Sequence, residues 1–504
     1  MRLAAFSKFD RSFFAILVAT AFLSFFIFGK WEVPIAIWLL PIFVMRLCRR
    51  YSLVGMIAAD IALTIPVLIA SRGMGLFCNY LDYFVIAFGC QLIWFAFLLD
   101  ALFSKRFSSF FSTLVFPITI TIIEFLSKTI NPFIGTGPSL TLDQYRNLVL
   151  IQMLSFCGMS GLCFLIFWPA SIINSFWEKG FFDKKVQKTA LIYGAIFISV
   201  LFGGGLRLAL WAPQEKTVRI ASIAVSEKTL APVVELAKTG KSAFEFRDLY
   251  RKVMSPNILA DLLKLTRQEA KAGSKIVFWS ETAVPSFKED ENSYIAQGQK
   301  LAKEENIYLG MPLKVFVEPQ GPIYENKFVF IGPDGKIIFT YFMQNRPFPF
   351  EVKYSVVPES EKNYKLKYTD TPYGRIGVAL CFDMSFPRFM RQAGMADVDI
   401  LLVLSGDTRA ITERSSAQVI FRSIENGMSI VKLAITGYSL AVDYQGHTVS
   451  FIDYFSVPDD ARIMVSNVPI KGVTTIYSKI GDLFLCFCVG FFICGVVYLI
   501  RSRP

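Results

Sequence analysis

A single cysteine with the potential for chemistry stands at the end of an apolar run in the stretch GRIGVALCFDMSFP, residues 374–387. The chain has nine cysteines, and Cys381 alone lies between residues 214 and 478, where no apolar run is long enough to cross a membrane. A lone cysteine at a strand end is either a small packed side chain or a nucleophile. The second role requires a neighbouring base that activates the thiol.

Histidine, the usual base, occurs once, as His447 in YQGHTVSF. That segment predicts a hairpin turn, so neither a Cys-His pair nor a Ser-His-Asp triad is expected. No cluster of cysteine and histidine has the spacing of a metal site, and we expect neither a metal ion nor a cofactor.

A carboxylate can serve as the base instead. Glu281 directly follows an apolar strand in KIVFWSETAVP. Burial at such a position raises the pKa of a carboxyl group and suits it to proton transfer. The alternative is that Glu281 caps the segment that follows it.

The composition indicates which elements must position these residues. Of the 504 residues, 54% are hydrophobic and 18% are charged, and 50 are phenylalanine. These values are typical of a membrane protein, in which apolar runs of about 20 residues cross the bilayer. Eight runs are candidates: residues 12–28, 33–46, 52–70, 83–103, 109–126, 148–176, 190–211 and 483–500.

Basic residues cluster before the first run and after the second, fourth and sixth. Because positive charge marks the cytoplasmic side, this pattern predicts a cytoplasmic N-terminus and an extracytoplasmic segment after Trp211. These loops account for much of the net charge of +12, so no nucleic-acid partner is needed to explain it.

Charges recur regularly between residues 214 and 478, where apolar strands alternate with helical patterns and hairpins. This alternation predicts a layered α/β sandwich. We therefore expect a membrane domain of about seven helices over residues 1–211, a sandwich domain over 214–478 and a C-terminal transmembrane helix over 483–500.

Three short motifs in the sandwich domain resemble those of a known enzyme superfamily. A strand ending in WSETAVP, a hairpin ending in Tyr341 followed by PFPFE, and a strand ending in LCFD are similar to the nitrilase, or carbon-nitrogen hydrolase, superfamily. Seven spans before this domain and one after it resemble the apolipoprotein N-acyltransferase family. QMLSFCGMSGLCFLIF, FRSIENG and ITG fit the same family.

The resemblance implies an α-β-β-α sandwich in which Cys381 is the nucleophile and Glu281 the general base. It implies that Glu351, in FPFE, supports the triad, and it places Asp383 where the family often has glutamate. The implied partners are a phospholipid acyl donor and a lipoprotein acceptor. The implied location is the bacterial cytoplasmic (inner) membrane, and the sequence leaves the oligomeric state open.

The family's catalytic lysine is missing. Alignment on Tyr341 and Glu351 puts Met343 at its position, and methionine carries no charge. Losing one contact that stabilises a developing anion typically costs about 10²–10³ in rate. Substitute cations are Arg346 and Lys353 in the same loop, and Lys327 and Lys314 on neighbouring strands.

Two further departures lie near the expected substrate loops. SGDTR (405–409) keeps only Asp407 of the family's N-D-x-W-F, and Ile435 replaces the asparagine before Thr-Gly. The loop 342–354 is either a lid on the lipid surface or a buried loop. Three functions stay open: an acyltransferase, a catalytically weakened or inactive relative that binds lipid or lipoprotein, and a membrane-tethered amidase.

Overall fold

The computed structural model describes residues 10–74, 80–107, 109–130, 135–213, 216–319, 323–346, 353–459 and 462–501. The chain divides into two compact units. The helical unit comprises Met1–Asn131, Pro138–Leu210 and Ile480–Pro504, and the sandwich unit comprises Pro132–Gly137 and Trp211–Lys479.

The helical unit contains α1 (Arg11–Ser24), α2 (Ala36–Arg50), α3 (Ser52–Ala70), α4 (Tyr80–Phe103), α5 (Ser109–Ser112), α6 (Val115–Ile130), α7 (Leu148–Ile151), α8 (Leu154–Lys179), α9 (Lys184–Leu210) and α17 (Leu483–Arg501). Within the described residues, six helical segments are long and apolar enough to cross a membrane: Leu53–Ala70, Asp82–Arg106, Phe110–Lys128, Leu154–Lys179, Lys184–Leu210 and Leu483–Arg501.

Helices form at all eight runs predicted from the sequence, but the first two are short. α1 has 14 residues and α2 has 15, which is less than the length of about 20 that a straight span needs. The predicted run 148–176 is also interrupted, because Gly158 inside α8 has a φ of 61°, which is not helical. Glycine adopts this angle without steric cost.

The sandwich unit contains two sheets, whose strands are β1 (Thr217–Ile223), β2 (Ile276–Trp279), β3 (Val284–Phe287), β4 (Tyr308–Phe316), β5 (Tyr324–Ile331), β6 (Ile337–Phe342), β7 (Tyr368–Thr371), β8 (Gly374–Leu380), β9 (Ile400–Gly406), β10 (Ser429–Ile435), β11 (Tyr438–Val442), β12 (Thr448–Asp453) and β13 (Ile463–Pro469). The first sheet has the order β13-β1-β2-β4-β5-β6, with β3 paired to β4. The second has the order β12-β11-β10-β9-β8-β7.

The helices of this unit are α10 (Glu227–Lys238), α11 (Arg247–Leu249), α12 (Ser255–Lys271), α13 (Glu291–Glu305), α14 (Pro387–Met395), α15 (Thr412–Asn426) and α16 (Ile476–Ile480). α12 and α13 bury apolar side chains in one core with β1, β2 and β4. α15 contacts β10 and β11 of the second sheet. The predicted α-β-β-α sandwich is confirmed.

The strand directions determine where the predicted site residues meet. β1, β2 and β4 run parallel, as do β8, β9 and β10, and all their central residues are buried. Polar residues at the carboxyl ends of parallel strands gather at one edge of a sheet. Glu281 follows β2, Cys381 follows β8, and Asp407 follows β9.

Trp279 is the last residue of β2, and truncating its side chain measures how much the core stabilises this end of the strand. Its side chain is fully buried, and its indole Nε1–H donates to Thr266 Oγ1 at 2.9 Å. We expect Trp279→Ala to destabilise the protein by about 3–5 kcal/mol through the cavity and the lost hydrogen bond. The measurement is the apparent midpoint of thermal unfolding of the purified chain in detergent.

The matched control is Val253→Ala, at a side chain that is 47% exposed. An exposed truncation of this kind changes stability by only about 0.5 kcal/mol. Equal midpoints for the two variants would contradict the expected contribution of the Trp279 side chain to stability.

Candidate active site

Cys381 lies in a sharp turn at the end of β8. Its φ is 43°, a left-handed angle that is costly for a residue with a side chain, and it opens a short 3₁₀ turn over Cys381–Ser385. The side chain is partly accessible, whereas Leu380 before it is fully buried. The turn therefore brings the thiol out of the strand and toward the edge of the sheet.

Asp383 holds this turn in place. Its carboxylate is fully buried and accepts hydrogen bonds from Leu380 N–H at 3.1 Å, Tyr341 Oη at 2.6 Å and Asn345 N–H at 2.8 Å. Burial raises the pKa of Asp383 to about 6, against the hydrogen bonds, which lower it. Asp383 thus joins the cysteine turn to the end of β6, and its contacts are those of a positioning group.

Glu281 approaches the same place from the other sheet. It is 7% exposed, and it accepts a hydrogen bond from Asn326 Nδ2 at 2.8 Å. A Cβ added to Gly406 would lie 3.4 Å from Glu281 Oε2. The Gly406 N–H also lies close enough to the Cys381 sulfur to lower the pKa of the thiol. Glu281 and Cys381 therefore converge on Gly406, at the end of β9.

The charges around Cys381 favour its neutral form. Desolvation by the surrounding residues, followed by the Glu281 and Asp407 carboxylates, raises the pKa of Cys381 well above that of a free thiol. The Gly406 N–H and the Ser405 hydroxyl act in the opposite direction but are weaker. Cys381 is a thiol at neutral pH, and its chemistry requires proton removal during the reaction.

Met343 lies next to Asn326, the residue that donates a hydrogen bond to Glu281. Its N–H donates to Asn326 O at 3.2 Å, continuing the antiparallel pairing of β6 with β5. Side chains on paired residues lie on the same face of a sheet, and Asn326 points toward Glu281. Met343 is 3% exposed, and Asn326 Oδ1 is buried and has no hydrogen-bond partner among the described residues. An uncharged side chain thus occupies the face on which a cation was expected.

Two of the suggested substitute cations on the strands are engaged elsewhere. Lys327 Nζ forms ion pairs with Glu291 and Glu325, each at 2.5 Å. Lys314 Nζ lies 4.3 Å from the centre of the Tyr324 ring. Because Lys327 alternates with Asn326 along β5, it points to the opposite face of the sheet from Glu281.

The two suggested cations in the loop contact other groups. Arg346 Nη1 donates to Ser355 O at 2.7 Å, and Lys353 Nζ lies 5.3 Å from the centre of the Tyr354 ring. Glu351 lies outside the described residues.

The cation that sequence reasoning missed is Lys432, in the middle of β10. Its side chain is fully buried, and Nζ contacts Asp407 Oδ2 at 2.5 Å and Ser415 Oγ at 2.8 Å. A lysine inside the apolar stretch SIVKLAI is itself a signal, because a buried ammonium needs a carboxylate partner. What the sequence did not show is that β9 and β10 are neighbours.

Arg422 in α15 explains the FRSIENG motif. Its guanidinium is fully buried, pairs with Glu425, and donates to Met384 O at 3.4 Å and Thr136 Oγ1 at 3.0 Å. Met384 belongs to the cysteine turn, so the hydrogen bond from Arg422 helps to hold that turn in place. The motif is structural in this arrangement.

Comparisons with known proteins agree with this architecture. The Carbon-nitrogen hydrolase family matches residues 254–453. The apolipoprotein N-acyltransferase of Geobacter metallireducens is 24% identical over 385 residues, covering 71% of this chain and 69% of that protein. The apolipoprotein N-acyltransferase of Aquifex aeolicus is 23% identical over 363 residues, covering 69% of this chain and 74% of that protein.

Among solved structures, an amidase from Nesterenkonia sp. aligns with a TM-score of 0.41 at 15% identity, covering 55% of this chain and 98% of the amidase. The family match lies within the sandwich unit, and the two relatives align with 71% and 69% of the chain. The chain therefore carries a carbon-nitrogen hydrolase domain and is a relative of the apolipoprotein N-acyltransferases.

Proposed function

We propose that this chain is a membrane N-acyltransferase that moves an acyl chain from a phospholipid to the N-terminal lipidated cysteine of apolipoproteins. The observation that carries the proposal is the convergence of Cys381 and Glu281 on Gly406. A thiol beside a buried carboxylate is suited to nucleophilic acyl transfer. Relatives named apolipoprotein N-acyltransferase, and the six helical segments of membrane-spanning length in the described part of the chain, support the substrate class.

In the first step, Glu281 takes the thiol proton while Cys381 Sγ attacks the carbonyl carbon of a phospholipid ester. The tetrahedral intermediate collapses when the C–O bond breaks, and the leaving alkoxide receives the proton from Glu281. The products are a lysophospholipid and a Cys381 thioester. Because the resting sulfur is protonated, attack and proton transfer are coupled.

In the second step, the α-amine of the lipoprotein attacks the thioester carbonyl and Glu281 takes a proton from the amine. The C–S bond breaks, the sulfur regains the proton, and an amide forms. The same carboxylate serves both steps, because the amine enters where the alkoxide left and Glu281 had delivered a proton to that position.

The active site faces the extracytoplasmic side of the bacterial cytoplasmic membrane in this proposal. Basic residues after the second, fourth and sixth predicted spans support that orientation. The loop 342–354, predicted as a lid or as a buried loop, is buried at Phe342, Met343 and Asn345. Its residues 347–352 lie outside the described part of the chain.

An inactive relative that binds lipid or lipoprotein is the second candidate, and Met343 is the observation that favours it. Without a nearby cation at that position, the thiolate and the tetrahedral intermediate lose one stabilising contact. An acyltransferase forms a covalent acyl intermediate on Cys381, whereas a relative that only binds lipid or lipoprotein forms none.

The decisive experiment is the intact mass of the purified chain after incubation with phospholipid. We expect a hydroxylamine-sensitive acyl adduct on the natural chain and none on Cys381→Ala. Glu281→Gln preserves the size of the side chain but removes the base, so the adduct should form at least about 10²-fold more slowly.

Persistence of the adduct in Cys381→Ala would contradict the proposed nucleophile. Absence of any adduct in a folded, lipid-bound chain would favour the inactive relative. If the adduct forms, its products distinguish the remaining candidates: an acylated lipoprotein peptide indicates acyl transfer, and a released carboxylic acid indicates a hydrolase.

Met343→Lys tests the missing charge directly. A cation on the Glu281 face stabilises the thiolate, so the pKa of Cys381 should fall and its alkylation by iodoacetamide should become faster at a given pH. The measurement is the pH profile of alkylation of the peptide containing Cys381, followed by mass spectrometry.

The control for size is Met343→Leu, which keeps the site uncharged and should leave the profile where it is. A profile that does not move to lower pH in Met343→Lys would show that residue 343 does not act on the sulfur.

A further inference from the structure

A buried polar chain leads from Cys381 to Lys432. Ser405 Oγ lies 3.8 Å from Cys381 Sγ and 2.5 Å from Asp407 Oδ1. Asp407 Oδ2 contacts Lys432 Nζ at 2.5 Å. Ser405, Asp407 and Lys432 are each no more than 3% exposed. The four groups therefore form one sequence of contacts inside the domain.

Ser405 has a single hydroxyl proton for two acceptors. A carboxylate oxygen at 2.5 Å is a much stronger acceptor than a neutral sulfur at 3.8 Å. While Cys381 is a thiol, the hydroxyl proton therefore points to Asp407.

The balance changes when Cys381 loses its proton. The groups that face the sulfur are the Glu281 carboxylate after β2, the Asp407 carboxylate after β9, and the Gly406 N–H and Ser405 hydroxyl at the end of β9. Asp383, in the same turn as Cys381, is engaged by donors from Leu380 and β6. Only Gly406 and Ser405 in this group offer a hydrogen-bond donor to an anionic sulfur.

Asp407 can lose the hydrogen bond from Ser405 because other donors still contact its carboxylate. Lys432 Nζ stays on Oδ2, and Ser415 Oγ lies 3.4 Å from Oδ1. Without Lys432, turning the hydroxyl away would leave a buried carboxylate poorly compensated, which is costly.

We propose that Ser405 turns its hydroxyl from Asp407 to Cys381 when the sulfur becomes an anion, and that the buried Lys432–Asp407 pair positions Ser405 for this exchange. Ser405 thereby supplies part of the anion stabilisation that Met343 does not. Lys432 acts through Asp407 and is a positioning residue. The inference deepens the proposed function and rests on Cys381 being its nucleophile.

The test is the pH profile of Cys381 alkylation in the full-length protein carrying Ser405→Ala. Loss of the donor should move the midpoint upward by about one pH unit, with alkylation about tenfold slower below the midpoint. Ser439→Ala is the matched control: Ser439 is a buried serine near the start of β11 that hydrogen-bonds the Ala434 backbone. The control should leave the profile unchanged.

A double-mutant cycle separates a direct donor from a structural effect. In the Met343→Lys background a lysine supplies charge to the sulfur, so Ser405→Ala should cost clearly less than in the natural background. An unchanged profile in Ser405→Ala, or an equal cost in both backgrounds, would overturn the proposal.

Alkylation does not require acyl transfer, so the two proposals fail separately. A shifted profile without an acyl adduct leaves the role of Ser405 standing and removes the acyltransferase. An adduct with an unshifted profile removes only the role of Ser405.

Discussion

The electrostatics of one partly accessible thiol between two carboxylates is the constraint on which the rest of the site depends. Glu281 and Asp407 both raise the pKa of Cys381, and desolvation adds to them. A thiolate in that position is unfavourable at rest, so the sulfur cannot act as a preformed nucleophile. Any reaction at Cys381 must remove the proton as the new bond forms, and the adjacent carboxylate is placed to do so.

The fold serves this requirement by tying together segments that are far apart in the sequence. Asp383 links the cysteine turn to the end of β6, through Tyr341 and Asn345. Arg422 braces the same turn through Met384. The contacts of Asp383 are buried, short and charge-assisted, which makes them strong and directional, and the longer Arg422 contact adds a second constraint on the turn. They explain how Cys381 is held at a left-handed backbone angle while its side chain remains reachable.

Much of this arrangement could be predicted because it follows from local patterns. Apolar strands that end in a polar residue identified Glu281 and Cys381, and runs of apolar residues identified the helices. Lys432 and Ser405 could not be placed in the same way. Their contacts depend on β9 and β10 being neighbours, and strand order is a property of the whole sheet. The shortness of α1 was also beyond the sequence pattern, since the apolar residues 25–28 continue past the end of the helix, whereas the second run, 33–46, was already short in the sequence.

Gly406 lies where the base and the thiol meet, and its position bears on how the site can work with methionine at residue 343. A Cβ there would lie 3.4 Å from Glu281 Oε2, an ordinary van der Waals distance, so the carboxylate comes close to the end of β9 without crowding it. The base, the thiol and a backbone N–H therefore meet at this strand end. With Glu281 at this strand end, proton transfer can accompany attack, so a permanent thiolate is not needed and the missing cation affects only the charge that develops in the transition state. Methionine at residue 343 is then compatible with a slow but functional nucleophile, because charge appears on sulfur only while donors at the end of β9 are in reach.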